Sequence, residues 1–370
     1  MEYRTWEKAE VSPSLLGFGC MRFPLREDGS IDKERTTKML DYAMEQGVTY
    51  YDTAYNYLGG ESERVVGEYF TKYERETFYL ATKLPIWLVK TEDDVERIFK
   101  EQLEKMQTDY IDFYLVHALN QERLDWMVKM NVFDKLMKFK EEGLIRHLGF
   151  SFHDTYDEFE KILTSYPWDF CQIQYNYMDT DYQAGTKGLK LAGELGIPVV
   201  VMEPIRGGSL VQLPEDVLDV FRECNPDASR ASWPLRWVAD HPEVKVILSG
   251  MSTEEQVMDN IHTFNEFATM TEEEKQAVQK AKVLIEKRQK NRCTGCEYCM
   301  PCPHGVDIPS NFRYWNSDSM FMDGSGKRLY ASLGTEQAIY CKECGKCEAV
   351  CPQHISIRED LKKVAKDLAE

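Results

Sequence analysis

The sequence of 370 residues has no apolar run approaching the ~20 residues that a membrane-spanning helix needs. Its first residues, MEYRTWEKAEV, carry no basic stretch followed by an apolar core, so no secretory signal is expected. Basic residues are outnumbered, 45 Lys and Arg against 63 Asp and Glu, and the net charge of −18 argues against nucleic acid or an anionic membrane surface as partner. No G-x-G-x-x-G follows an early strand, which lowers a doubly wound dinucleotide fold to runner-up. No separate flavin motif and no internal repeat stand out.

Cysteine, by contrast, is abundant. Eight of the eleven fall in two tight runs: Cys293, Cys296, Cys299, Cys302 and Cys341, Cys344, Cys347, Cys351. The second reads C-x2-C-x2-C-x3-C-P, the spacing by which bacterial two-cluster ferredoxins hold cubane iron–sulfur clusters. The first opens identically but has only two residues before its last cysteine. Disulfides would need an oxidising compartment, to which nothing here points. Two zinc sites could be built from such thiols, but three cysteines at this spacing and a fourth before proline favour iron–sulfur. In the ferredoxin arrangement the last cysteine of each run serves the other cluster. That assigns Cys293, Cys296, Cys299 and Cys351 to one cluster, and Cys341, Cys344, Cys347 and Cys302 to the other. Cys20, Cys171 and Cys224 stand apart as ordinary thiols. Such clusters move electrons singly, and with no signal visible they point to a cytoplasmic redox protein.

Before these runs, short apolar strands alternate with helical segments. Strands are expected at 15–19, 49–52, 78–83, 111–117, 147–151, 170–174, 198–203 and 244–249. Helices are expected at 33–46, 61–73, 94–107, 132–142, 156–165, 185–195, 229–240 and 253–267, with Thr253 a candidate cap for the last. Eight alternations over about 265 residues suggest a (β/α)8 barrel. The expected division is a barrel over 1–270, then a charged linker helix (271–289) and a small, mainly α, two-cluster domain over 271–370. The aromatics Phe312, Tyr314, Trp315, Phe321 and Tyr330 could shield clusters, although a small domain's own core is the default reading.

In such a barrel, reactive groups sit where strands end and loops begin. Asp52, Lys83 and His117 end strands, and Tyr57 lies in the loop after Asp52. Each alone reads more simply as a cap or a packing residue; all four at one mouth read as chemistry. A carbonyl that accepts hydride needs a proton, and a tyrosine hydroxyl can supply it. Lys83 beside Tyr57 would lower its pKa, Asp52 would hold Lys83, and His117 would bond the carbonyl oxygen.

The motifs D-T-A-x-x-Y (52–57), A-T-K (81–83) and L-V-H (115–117) resemble the aldo/keto reductases. The resemblance continues through GFGCMR (17–22), GGESERVVG (59–67), LGFS (148–151), QIQYN (172–176), EPIRGGSL (203–210) and STEEQVMDN (252–260). The whole chain resembles the subgroup ending in a ferredoxin-like domain with two [4Fe–4S] clusters. The resemblance implies that Asp52, Tyr57, Lys83 and His117 form a catalytic tetrad and that a nicotinamide cofactor lies against Gly19, Met21, Ser151, Gln172, Met202, Arg206, Gly207, Gly208, Gln256 and Asn260. Ser151 and Gln172 match residues that hold the carboxamide. Three features depart from the pattern. Phe152 replaces an Asn, Met202 stands where an aromatic stacks on the nicotinamide, and Ser249-Gly250…Gln256 replaces a cationic set that grips a 2′-phosphate. The choice between NADH and NADPH is therefore open, and a flavin stays an alternative. Arg206 suits a pyrophosphate or the cluster domain.

The expected function is carbonyl–alcohol interconversion, or reduction of a related polar double bond, with Tyr57 as general acid/base. Its partners are a small-molecule carbonyl or alcohol and a ferredoxin-like electron carrier. The alternative is a redox sensor or electron carrier whose barrel only binds. The loops around Trp87, 119–126 and 177–182 suggest a partly aromatic substrate pocket.

Overall fold

A computed structural model describes residues 1–369. They form two compact units: 1–207 with 231–270, and 208–230 with the C-terminal residues from 271 onward. The segment 208–230, inside the span expected for the barrel, groups with the second unit.

The first unit is a closed barrel of eight parallel strands in sequence order: β1 (Leu16–Gly19), β2 (Tyr50–Asp52), β3 (Tyr79–Leu84), β4 (Ile111–Leu119), β5 (Ile145–Phe152), β6 (Phe170–Gln174), β7 (Val199–Met202) and β8 (Val244–Ser249). The helices between them are α1 (Lys33–Glu45), α2 (Glu61–Phe70), α3 (Glu92–Met106), α4 (Gln121–Lys129), α5 (Val132–Glu141), α6 (Tyr156–Ser165), α7 (Gly185–Glu194), α8 (Glu215–Cys224), α9 (Ser232–Ala239) and α10 (Glu254–Asn265), with α8 in the second unit. Thr253 caps α10 as its sequence suggests, accepting from the Gln256 N–H. Two helices exceed the expected alternation. In α4 only Leu124 and Met127 are buried, too thin a stripe to read as helical periodicity. The other, α8, is an insertion after β7.

Strand alternation places the functional side chains. Tyr50, Ala81, Phe113, Phe170, Val200 and Val246 form one buried cluster inside the barrel. Two residues further along each strand, on the same face, come Asp52, Lys83, Leu115, Gln172, Met202 and Leu248. The register seats Gly19 opposite Asp52, Lys83 opposite Leu115 and Ser151 opposite Gln172. Trp6 fills the opposite end. Fully buried, it packs on Phe113 at 4.7 Å and Phe170 at 5.6 Å, on a segment bridged antiparallel to Val11. Trp6→Ala would cost about 3–5 kcal/mol. Gly17 is needed beside it, since a Cβ there would meet Val246 at 2.7 Å.

The second unit adds α11 (Glu272–Glu286), α12 (Ile308–Phe321), α13 (Ser325–Ser332), α14 (Lys346–Ala349) and α15 (Ile357–Leu368). A capping box of Thr271 and Glu274 starts α11. Val306, Ile308, Phe312, Trp315, Tyr330, Ile357, Leu361 and Val364 make its core, and six of the motif cysteines pack against it. Two buried asparagines brace this core: Asn311 bonds Asp307 O, Glu336 O and the Ala338 N–H, and Asn316 bonds Asn291. Among the described residues no helix is long and apolar enough to cross a membrane. Cys20 and Cys171 are buried and Cys224 is partly exposed.

Candidate active site and cluster site

Four residues meet at the C-terminal mouth of the barrel. Lys83, 1% exposed, donates to Asp52 Oδ1 at 2.7 Å and to the Thr53 carbonyl at 2.6 Å. Its Nζ lies 4.8 Å from the centre of the Tyr57 ring. The ring of His117 meets that of Tyr57 edge-on at 6.2 Å. Tyr57 is delivered by a tight loop in which Leu58, Gly59 and Gly60 all take positive φ. For Leu58 this costs roughly 1–3 kcal/mol of strain, held at the site by the surrounding fold.

Electrostatics assign the protons. Burial works to lower the Lys83 pKa, but Asp52 and Tyr57 outweigh it and the net shift is upward, so the ammonium stays charged. Burial raises the Tyr57 pKa by more than Lys83 lowers it. This reverses the expected direction: desolvation of the phenolate dominates, and Tyr57 holds its proton at neutral pH. Burial, and next the Lys83 charge, push His117 down to about 3, so its imidazole is neutral. His117 Nδ1 is buried without a protein partner, leaving it available to a ligand.

The positions expected to contact a cofactor divide into two groups. Ser151 Oγ accepts the Ala118 N–H at 2.8 Å, and Gln172 donates to Asp52 Oδ2 at 3.1 Å. The hydroxyl proton of Ser151 and the amide oxygen of Gln172 remain to bond a carboxamide. Gly19 ends β1, where a Cβ would sit 3.2 Å from Ser249 O. Met202 is partly buried at the end of β7 and Met21 is exposed. Gly207 and Gly208 take φ of 66° and 108°, and no atom lies within 4 Å of where a Gly208 Cβ would stand. Arg206 donates to Asp179 Oδ2 at 3.1 Å. Gln256 and Asn260 instead hold their own turn, Gln256 accepting the Ser252 N–H and Asn260 donating to Ser249 Oγ.

Two residues escaped the sequence reading. Asp179 gathers Gln174, Asn176 and Arg206 on one oxygen. Arg22, exposed, places its side chain 3.1 Å from where Gly250 would carry a Cβ and 3.8 Å from that of Gly207. A cation beside the loops after β7 and β8 occupies the usual phosphate corner of such barrels; its position directly after GFGCM was the available signal.

In the second unit the cysteines surround two cavities. One, of about 280 Å³, is lined by Cys302, Cys341, Cys344, Cys347 and Cys299. The narrower one, about 20 Å³, is lined by Cys293, Cys296, Cys299 and Cys351, with Phe312 and Ile355 beside them. Phe312 thus belongs both to the core and to this lining. Among the described residues no group of three or more His, Cys, Asp or Glu side chains is placed to hold a single metal ion. The two runs also share a backbone pattern invisible as a repeat in the letters. The residues flanking the second cysteine, Gly295 and Glu297 in one run and Glu343 and Gly345 in the other, all have positive φ. Such turns point successive N–H groups into a concavity, the nest that favours anionic sulfur. The Glu343 N–H donates to Cys341 Sγ at 3.4 Å, and the Gly295 N–H plays the same part for Cys293.

Comparison with known proteins agrees with this geometry. The profile described as "Aldo/keto reductase family" matches residues 15–282, and that described as "4Fe-4S dicluster domain" matches 292–356. An uncharacterized oxidoreductase of Bacillus subtilis, YqkF, is 27% identical over 75% of this chain and 96% of its own. The NADH-specific methylglyoxal reductase of Escherichia coli is 24% identical over 64% of this chain and 85% of its own. The holo form of aldo-keto reductase AKR11C1 from Bacillus halodurans superimposes with a TM-score of 0.64 at 27% identity, over 76% of this chain and 96% of that one. Barrel, tetrad positions and cysteine loops lead to one assignment: the chain belongs to the aldo/keto reductase family, is an oxidoreductase, and carries a C-terminal 4Fe-4S dicluster domain.

Proposed function

We propose that this enzyme reduces a small-molecule carbonyl with a nicotinamide cofactor, Tyr57 delivering the proton, and that two [4Fe–4S] clusters couple this step to one-electron transfer. The observation that carries the reading is the buried Asp52–Lys83 pair set against the Tyr57 ring, with neutral His117 edge-on to it. When bound, the reduced nicotinamide supplies hydride to the carbonyl carbon. Ser151 and Gln172 orient its carboxamide; Arg22, Arg206, Gly207 and Gly208 meet its phosphates. His117 steadies the carbonyl oxygen as charge builds there, and Tyr57 gives that oxygen its proton. Lys83 then stabilises the tyrosinate left behind.

In the dicluster domain, which we assign to residues 271–370 after a barrel of 1–270, the cavity linings support the crossed pairing. Cys293, Cys296, Cys299 and Cys351 hold one cluster; Cys341, Cys344, Cys347 and Cys302 hold the other. When bound, the clusters would pass electrons singly from a ferredoxin-like carrier, two of them with a proton restoring the hydride that the nicotinamide gives up. Clusters held by thiolates suit a reducing compartment, which supports a cytoplasmic location for the protein.

The test is anaerobic purification, with iron and sulfide counted, followed by difference spectra on adding NADH, NADPH or dithionite. Bleaching of the cluster absorbance by a nicotinamide supports coupling. Bleaching by dithionite alone leaves the barrel as an uncoupled reductase.

A further inference from the structure

Arg123, half-buried, lies in the first turn of α4, just beyond the end of β4. Its guanidinium donates to the carbonyl of Ala118, the residue after His117. It also lies 5.2 Å over the ring of Trp87, whose centre is 5.0 Å from the His117 ring. Ala118 takes a φ of +50°, unusual for alanine, and its N–H is held by Ser151. The guanidinium therefore lies beside the strand end that carries His117, with the Trp87 ring near both. Two partners, a backbone carbonyl and an aromatic face, leave its charge unmatched: among the described residues no carboxylate pairs with Arg123. Nearby acids are otherwise disposed. Asp52 is taken by Lys83 and Gln172, Glu203 faces His153, and Glu122 and Asp125 are exposed on α4. The positive field of Arg123 reaches both His117 and His153. A partly desolvated arginine fork without a counter-charge suits a bidentate carboxylate.

We infer that Arg123 binds a carboxylate carried by the substrate, so that the enzyme acts on oxo acids or carboxylated aldehydes in preference to neutral carbonyls. The inference rests on the proposed reaction at Tyr57 and names its substrate class. Hydride from the nicotinamide adds to the carbonyl carbon, the oxygen takes the Tyr57 proton, and the carboxylate is unchanged in the hydroxy-acid product.

Succinic semialdehyde and butanal, which differ in the terminal carboxylate, test this with the anaerobic holoenzyme. The wild type is expected to favour the semialdehyde in kcat/KM by about 10- to 100-fold, the worth of a charge-assisted bond. Arg123→Met should abolish that preference through KM, leaving butanal turnover within about twofold, and Arg123→Lys should restore part of it. Equal kcat/KM for both aldehydes in the wild type, or an equal loss for both in Arg123→Met, overturns it. Calorimetric binding of butyrate needs no turnover: binding to the wild type and none to Arg123→Met supports the inference even where neither aldehyde is reduced, a result that would sink the Tyr57 reading alone. Equal binding to both proteins overturns the inference.

Discussion

Gln172 on β6 donates its side-chain amide to Asp52 Oδ2 on β2, 3.1 Å away across the mouth of the barrel. The same carboxylate receives Lys83 on its other oxygen, so one buried acid ties the lysine proposed to support Tyr57 to a residue proposed to grip the cofactor. Asp52→Asn would leave the ammonium buried without its counter-charge, a loss of about 3–5 kcal/mol. Gln172→Met removes only one bond to a charged acceptor, about 1.5–3 kcal/mol. The expected outcome is a large fall in the barrel's melting midpoint, with lost turnover, for the first. The second should melt only slightly lower but show a raised nicotinamide KM.

The proton assignment predicts the pH profile. Tyr57 is shifted above its ordinary value of about 10, and reduction consumes the protonated form. Its rate should stay level through neutral pH and fall only above about pH 10. Alcohol oxidation, which needs the tyrosinate, should climb over that same range. With His117 pushed down to about 3, no limb near pH 6.5 should arise from it. A limb there that vanishes in His117→Gln would contradict the neutral imidazole.

Much of this was legible in the letters, because each strand is a short apolar run and Asp52, Lys83 and His117 sit at strand ends. Other parts were not. The net direction of the Tyr57 shift depends on desolvation, which no spacing reports. Arg22 and Asp179 acquire their roles only when loops far apart in sequence close together. The turn shared by the two cysteine runs lies in φ angles, where glycine and glutamate exchange places. α4 buries too few residues to display a helical stripe.

The crossed pairing of cysteines is open to a double-variant test. Cys302→Ser and Cys341→Ser, each alone, should lower iron and sulfide to about half, and the two together should lower them no further. Combining Cys302→Ser with Cys296→Ser should remove both clusters. The opposite pattern would assign each run its own cluster.

Cofactor choice follows from charge. With Ser249, Gly250 and Gln256 carrying no charge of their own and Gln256 occupied in its own turn, NADH should bind at least as tightly as NADPH. Gln256→Arg should shift the ratio toward NADPH by about 10- to 100-fold. Arg22→Gln should weaken both alike, since the pyrophosphate is common to them. Equilibrium titrations under anaerobic conditions would show either effect.

The most direct test of the account is Tyr57→Phe in holoenzyme whose iron and sulfide content matches the wild type. Loss of the hydroxyl alone should cut carbonyl reduction by about 10²- to 10⁴-fold, the usual worth of a general acid, with nicotinamide binding unchanged. Turnover within about twofold of the wild type would mean that the proton comes from elsewhere and that the barrel mouth is not the reaction centre described.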